Sequence, residues 1–316
     1  MLIDSHLHIN YNKLSLNDII KYLDKEKIDL CWLLTWEEIN PGYWDYKHLP
    51  VEAAYKAYQK YPSRIIPFYA PDPHQKQANE LLASWFLKGI RGCGELKATL
   101  NWKSTEIESL LKVVSKYKMP LVFHMEESRY YDIPYSNAIF DKVLFYGLRT
   151  EKTIYKAPKY ILQLLVNNYS PLKNRSKSGF FPGYMLDFAS LESTLKDYPN
   201  INFVAHGLMF WKFLSADADK FVGDLPKGPM NGEGLIWRLL REYPNLYADI
   251  SGPSGINAMT RDPQTTKLFL STFEDKILYA TDNFMKGQRE FINSLNLAKT
   301  TCSKIYGENA CKIMCL

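Results

Sequence analysis

Short apolar runs recur along the chain, each closing in polar or glycine-containing sequence. They are Leu2–His8, Asp29–Thr35, Arg64–Ala70, Gly89–Glu95, Met119–His124, Ile201–His206, Asn245–Ile250 and Lys276–Asp282. Runs of this length bounded by turn residues predict strands. Apolar positions recur at helical spacing between them, over Leu16–Lys25, Val51–Tyr61, Lys76–Leu87, Thr105–Lys116, Leu191–Tyr198, Gly234–Tyr243 and Asp262–Phe273. A strand that returns through a helix to the same end of a sheet pairs in parallel. Eight such units predict an α/β protein closed into a distorted (β/α)₈ TIM barrel. An open doubly wound sheet is the alternative, but no GxGxxG follows an early strand.

The connection from His124 to Ile201 is far longer than a βα unit needs. It opens on Arg129, Tyr130, Tyr131 and Tyr135. Helical patterns follow near Ala138–Tyr146 and Tyr155–Asn168, then a polar stretch at Lys173–Gly179. We expect residues 126–188 to be an insertion after the fifth strand, within a single domain spanning 1–316. On a barrel it would stand at the C-terminal face as a lid or specificity element. Packing decoration or an oligomer contact is the alternative.

Composition narrows the class. A chain of 316 residues with 46% hydrophobic and 23% charged positions excludes wholesale disorder and permits a large core. Lys and Arg number 39 against 34 Asp and Glu, a net charge of +5, with no long basic block. That balance permits a nucleic-acid partner without calling for one. The five cysteines form no CxxC pair and predict reduced structural thiols in the cytoplasm. No run approaches a membrane span, and Met-Leu-Ile-Asp-Ser-His lacks the features of a leader, so no membrane partner is expected and the mature chain is expected to start at Met1. A homodimer stays open, since nothing marks an interface.

The chemistry lies at the strand ends. In Asp4-Ser5-His6-Leu7-His8 alternation projects His6 and His8 to one side, where their ring nitrogens can reach one ion. Imidazole is a good ligand for zinc and related divalent metals. His124 closes the fifth strand, His206 the sixth and Asp282 the eighth. Barrel active sites are built at these ends. A buried imidazole without a partner is costly, and a shared metal would serve several at once. The plainer reading makes each a satisfied core or rim histidine.

This pattern resembles the amidohydrolase superfamily of metal-dependent hydrolases. The resemblance spans nearly the whole chain, from Ile-Asp-Ser-His-Leu-His at the first strand to Ala-Thr-Asp at the eighth. Tyr198-Pro-Asn-Ile-Asn-Phe-Val-Ala-His206, Tyr243-Pro-Asn-Leu-Tyr-Ala-Asp-Ile-Ser251, Ile277-Leu-Tyr-Ala-Thr-Asp282 and Ile305-Tyr-Gly-Glu-Asn-Ala310 are similar to the amidohydrolase-2 branch. That branch includes aminocarboxymuconate-semialdehyde decarboxylase. The resemblance implies His6, His8, His124 and Asp282 as ligands of a first divalent ion, with zinc expected and manganese or another ion as alternatives. His206 would bind a second ion or polarise water and substrate. Asp282 and His206 are the implied catalytic residues: Asp282 takes the proton of the attacking water, and His206 stabilises the developing oxyanion.

Glu95 ends the fourth strand in Arg91-Gly-Cys-Gly-Glu95-Leu-Lys97, and alternation puts Arg91, Cys93, Glu95 and Lys97 on one face. Glu95 is a metal-ligand candidate, bridging two ions as in TatD-type relatives, or an ion-paired neighbour. Lys97 is a substrate or ion-pair lysine, with a carbamylated bridge as the alternative. One or two ions therefore remain open. Arg129 could clamp a substrate carboxylate, and Trp36, Tyr43, Trp44 and His48 could wall a pocket. His74 reads as a loop histidine, and Asp249 as a group that orients a ligand histidine or serves structure.

The resulting expectation is a metal-dependent hydrolase opening a C–N or C–O bond of a small carboxylated molecule. A decarboxylase using the same metal site is the first alternative, and a TatD-like nuclease the second. A barrel that binds without catalysis is the reading from a different class.

Overall fold

The computed structural model of the chain describes residues 1–11, 14–37, 48–134, 176–185, 187–221, 225–283 and 286–316, with backbone alone at 129–134 and 176–180. Its strands are β1 (Ile3–Leu7), β2 (Leu30–Leu33), β3 (Ile65–Pro67), β4 (Cys93–Leu96), β5 (Leu121–His124), β6 (Arg129–Pro134), β7 (Ser176–Phe181), β8 (Phe203–His206), β9 (Leu246–Asp249) and β10 (Ile277–Leu278). All eight apolar runs hold a strand.

One sheet runs β1-β2-β3 and another β10-β9-β8-β5-β4, every pairing parallel. Two seams join them. A bridge between Phe68 and Gly92 and a bond from Arg91 N–H to Pro67 O (2.9 Å) link β3 to β4. Bonds from Ser5 N–H to Tyr279 O (3.0 Å) and from Asp282 N–H to His6 O (2.9 Å) link β1 to β10. Eight parallel strands thus close into a TIM barrel, and the short strands and thin seams are its distortion.

The crossover helices follow local chemistry. α1 (Leu16–Lys25) starts at Ser15, whose side chain accepts from Asp18 N–H while the Asp18 carboxylate accepts from Ser15 N–H. This reciprocal cap satisfies two orphan donors. α1 buries Ile19 and Leu23, and α2 (Thr105–Lys116) buries Ile107, Leu110, Leu111 and Val114. Among the described residues no helix is long and apolar enough to cross a membrane.

The barrel interior draws a few side chains from most strands or their extensions. Ile3, Trp32, Leu34, Ile66, Phe68, Val122, Val204, Tyr247 and Leu278 cluster together, closed below by Ala310 and Ile313. β4 contributes glycines there. A Cβ on Gly92 would lie 2.0 Å from the Phe68 ring, and one on Gly94 2.8 Å from Val122 Cβ. Gly92→Ala is therefore expected to destabilise the fold by about 1–3 kcal/mol through overpacking, read as a lower denaturation midpoint at unchanged slope.

One expectation, the shared face of Arg91 and Glu95, is corrected. His6 and His8 stand together, Nε2 to Nε2 at 3.1 Å, but not by strict alternation: Ile3 belongs to the interior cluster while Asp4 accepts from Tyr22 of α1 (3.0 Å), and the β1 register slips between Asp4 and Leu7. Strict alternation fails likewise in β4, where the register slips between Cys93 and Leu96. Arg91 is exposed, so it shares no face with the buried Glu95 and Lys97.

The contacts divide the chain into two units, Met1–Glu127 with Pro182–Leu316, and Ser128–Phe181. The second unit lies within the stretch 126–188. Glu126 and Tyr184 exchange backbone bonds (3.1 and 2.9 Å) and belong to the barrel unit. In the second unit β6 and β7 pair antiparallel, from Arg129 opposite Phe181 to Pro134 opposite Ser176. The polar stretch Lys173–Gly179 thus leads into a strand whose composition, rich in Ser, Lys and Gly, carries no apolar alternation. The helical patterns near Ala138–Tyr146 and Tyr155–Asn168 lie outside the described residues.

Candidate metal centre

β1, β4, β5, β8, β9 and the turn after β10 deliver His6, His8, Glu95, His124, His206, Asp249 and Asp282 to one end of the barrel. Apart from Asp282, whose side chain is 23% exposed, all are buried. His6 Nε2 lies 3.1 Å from His8 Nε2. His8 Nε2 lies 3.4 Å from Asp282 Oδ1 and 3.4 Å from Glu95 Oε2, and His6 Nε2 3.5 Å from the same Glu95 oxygen.

Each ring spends its other nitrogen outside the cluster. His6 Nδ1 donates to Asp249 Oδ2 (2.9 Å), His8 Nδ1 to Leu34 O (2.9 Å), and His206 Nδ1 to Asp249 Oδ1 (3.0 Å). His124 Nε2 lies 3.1 Å from Glu126 Oε2. Carboxylates and carbonyls only accept, so these contacts put a proton on the outward Nδ1 of His6, His8 and His206, whereas His124 faces a carboxylate at each of its nitrogens. The remaining nitrogens turn inward. His124 Nδ1 meets Glu95 Oε1 at 2.7 Å, and His206 Nε2 is 4.0 Å from that oxygen and 3.9 Å from Asp282 Oδ2.

Inward lone pairs facing one another and facing carboxylates repel unless positive charge lies between them. A divalent ion with bonds of ~2.0–2.2 Å holds neighbouring ligand atoms about 3.0–3.5 Å apart, and the His6, His8, Glu95 and Asp282 separations fall in that range. Among the described residues the donors form two triads with no residue in common, His6–His8–Asp282 and Glu95–His124–His206, and a third, His6–His206–Asp249, that shares one histidine with each; in every triad the ligand atoms lie within 4.8 Å of one another. Glu95 joins them, Oε2 toward the first and Oε1 toward the second. The residues present thus fit one divalent ion and offer donors for a second. Of the four ligands that the resemblance implies, His6, His8 and Asp282 stand in one triad and His124 stands with Glu95 and His206, β5 lying beside β4 and β8.

Electrostatics agree with a site that calls for positive charge. Burial raises the Glu95 carboxyl, but Lys97 and His6 outweigh it and hold it well below the usual range. Burial likewise opposes the charge of Asp249 and Asp282, yet the histidines around them depress both. Burial lowers His8, and its neighbours do not fully offset that, so this ring is a neutral donor. Burial also opposes charge on His6, but Asp249 and Glu95 raise it well above its ordinary value. A proton there supplies the positive charge that a cation would bring.

Lys97 pairs with Glu95 Oε2, and its ammonium stands 4.1 Å from the Trp36 ring centroid. Both line a cavity of about 210 Å³ above the cluster, with His8, Tyr11, Leu208, Pro253, Ser254 and Asp282. Arg129 lies in β6, and nothing is described of its side chain. Tyr43 and Trp44 fall outside the described residues. His48 is exposed, and His74 pairs with Asp72 (2.7 Å) rather than with the cluster. Sequence reasoning missed Glu126 and Ser251. Glu126 stands two positions beyond His124, where alternation continued past the strand end would have found it.

No family model matches the chain, and no curated protein matches it in sequence. Solved structures do match. A probable 2-pyrone-4,6-dicarboxylic acid hydrolase from Acinetobacter baumannii, with citric acid bound, is similar at 13% identity and TM-score 0.52, over 100% of this chain and 99% of that one. A 2,6-dihydroxybenzoate decarboxylase from Rhizobium is similar at 16% identity and TM-score 0.53, over 99% and 98%. A 5-carboxyvanillate decarboxylase from Novosphingobium aromaticivorans, complexed with manganese and a nitrobenzoic acid, is similar at 13% identity and TM-score 0.52, over 100% and 96%. At these identities the likeness shows the fold, along the whole chain.

Proposed function

We propose that the chain is a divalent-metal-dependent hydrolase of the amidohydrolase-2 type, acting on a C–N or C–O bond of a small carboxylated molecule. The observation that carries this reading is the set of four buried imidazoles, each with one nitrogen tied outward and the other turned toward Glu95 or Asp282. His6, His8 and Asp282, with Glu95 Oε2, would hold one ion. His124, His206 and Glu95 Oε1 would take a second. Zinc suits so imidazole-rich a set, and manganese is the ion of the 5-carboxyvanillate decarboxylase. Such an ion supplies Lewis acidity and brings the pKa of a water toward neutrality.

The chain's own residues do the rest. Asp282, ionised at neutral pH and partly open to the cavity, accepts the proton of the attacking water. His206, held through Nδ1 by Asp249, aims Nε2 at the place where an oxyanion develops. Lys97 draws a substrate carboxylate toward the cavity, and Trp36, Tyr11 and Leu208 keep water from the opposite wall. The five cysteines are free, which suits a reducing cytoplasm.

Decarboxylation is the second reading, favoured by the two decarboxylases among the similar structures. Zinc- or manganese-loaded protein turned over against carboxylated lactones, esters, amides and aromatic acids in ¹⁸O-water separates the two. Hydrolysis places one solvent oxygen in the product, whereas the lyase releases CO₂ from the substrate and leaves a product that has gained a solvent proton and no solvent oxygen. Metal-dependent cleavage of DNA in place of either would establish the nuclease, and turnover of none of these would leave a binding protein.

A further inference from the structure

We infer that Asp249 is a positioning residue that couples the metal ligand His6 to the catalytic His206, with one carboxylate oxygen on each ring; this rests on the metal-dependent reading above. Asp249 is fully buried at the end of β9. Its Oδ2 takes His6 Nδ1 at 2.9 Å and its Oδ1 takes His206 Nδ1 at 3.0 Å. The carboxylate is itself held. Ser251 donates to Oδ1 through its backbone N–H (3.1 Å) and its hydroxyl, and Trp211 Nε1 donates to the Asp249 carbonyl (3.0 Å). The two rings come from opposite sides of β9 in the barrel order, on β1 and β8; Glu95 also faces both, but through their inward Nε2 atoms and at 3.5 and 4.0 Å, so Asp249 is the carboxylate that holds both Nδ1 atoms.

Only a carboxylate can serve both rings, because both of its oxygens accept. An Asn of the same shape has one accepting oxygen. Its amide would present hydrogens to the second ring, which must then move its own proton from Nδ1 to Nε2. On His6 that proton would point at the ion, and on His206 it would replace the inward lone pair. Ser251 acts on the Oδ1 side, where its hydroxyl also lies 3.0 Å from His206 Nδ1. Its loss should therefore reach His206 and spare His6.

Zinc affinity of the full chain, measured by competition with a chromophoric chelator, tests the coupling together with ¹⁵N NMR of the ring tautomers. In the zinc-loaded wild type both rings should carry the proton on Nδ1. D249N should bind zinc about 10–100-fold more weakly, as loss of a ligand's outer partner does, with one ring shifted to the Nε2–H tautomer. S251A should keep wild-type affinity for the first zinc ion, the one His6 would hold, and change the His206 ring signals while leaving those of His6 as they are. Wild-type affinity and unchanged tautomers in D249N would overturn the inference alone. If D249N does not fold, an S251A protein with weakened binding of the first zinc ion, or with unaltered His206 signals, does the same. Wild-type protein that takes up no zinc would overturn the metal reading and this inference with it.

Discussion

His8→Ala is expected to purify almost free of the divalent metal expected of wild-type protein, and to lose its activity with it. His8 Nε2 stands within 3.1–3.4 Å of His6, Glu95 and Asp282, more of the cluster than any other ring nitrogen meets. Its Nδ1 is tied to Leu34 O, so the ring has no second orientation that keeps both bonds. Removing a mere outer partner of a ligand costs about 10–100-fold in affinity, and removing the ligand costs more. Elemental analysis after dialysis reads the outcome. His6→Ala should behave alike, with an added penalty, because Asp249 then loses one of its two ring partners in a buried site. His48→Ala is the control, since His48 is exposed. Wild-type metal content in both His6→Ala and His8→Ala would dissolve the centre.

The strand ends were legible because a parallel barrel puts chemistry where apolar runs stop. His124, His206 and Asp282 each follow such a run, and a register fault inside a strand cannot move its end to the other side of the barrel. Faces were less legible. β1 and β4 slip register, so Asp4 turns to Tyr22 while His6 still reaches the cluster, and Arg91 parts from Glu95. Nothing in one strand's pattern announces a slip, because it is set by the neighbouring strand. Gly92 and Gly94 give its cause a form, since the Phe68 ring and Val122 occupy the room that side chains would need. The grouping of ligands was also hidden. Which of His6 and His124 faces which oxygen of Glu95 follows from strand order and from Glu126, and only a fold brings those together.

Asp282→Asn is the substitution expected to separate metal binding from catalysis. The carboxylate is ionised well into acid because His8, His6 and His206 surround it, although burial opposes its charge. It lies 3.4 Å from His8 Nε2 and 3.9 Å from His206 Nε2, and part of it reaches the cavity. An amide keeps the size and one accepting oxygen of this group, so an ion that also has His6, His8 and Glu95 stays bound, more weakly. It cannot accept a proton in the neutral range. A general base is worth about 10²–10⁴ in rate, and kcat should fall by that much while metal content falls far less. Asp282→Ala, by contrast, should lose metal and rate together. The acid limb of the kcat–pH profile gives a further check. In wild type a base held this low protonates only well below neutrality, so activity should persist as pH falls until metal leaves. Wild-type kcat in a metal-loaded Asp282→Asn protein would move the proton acceptor elsewhere, and His206, whose Nε2 faces the same cavity, would be the residue to substitute next.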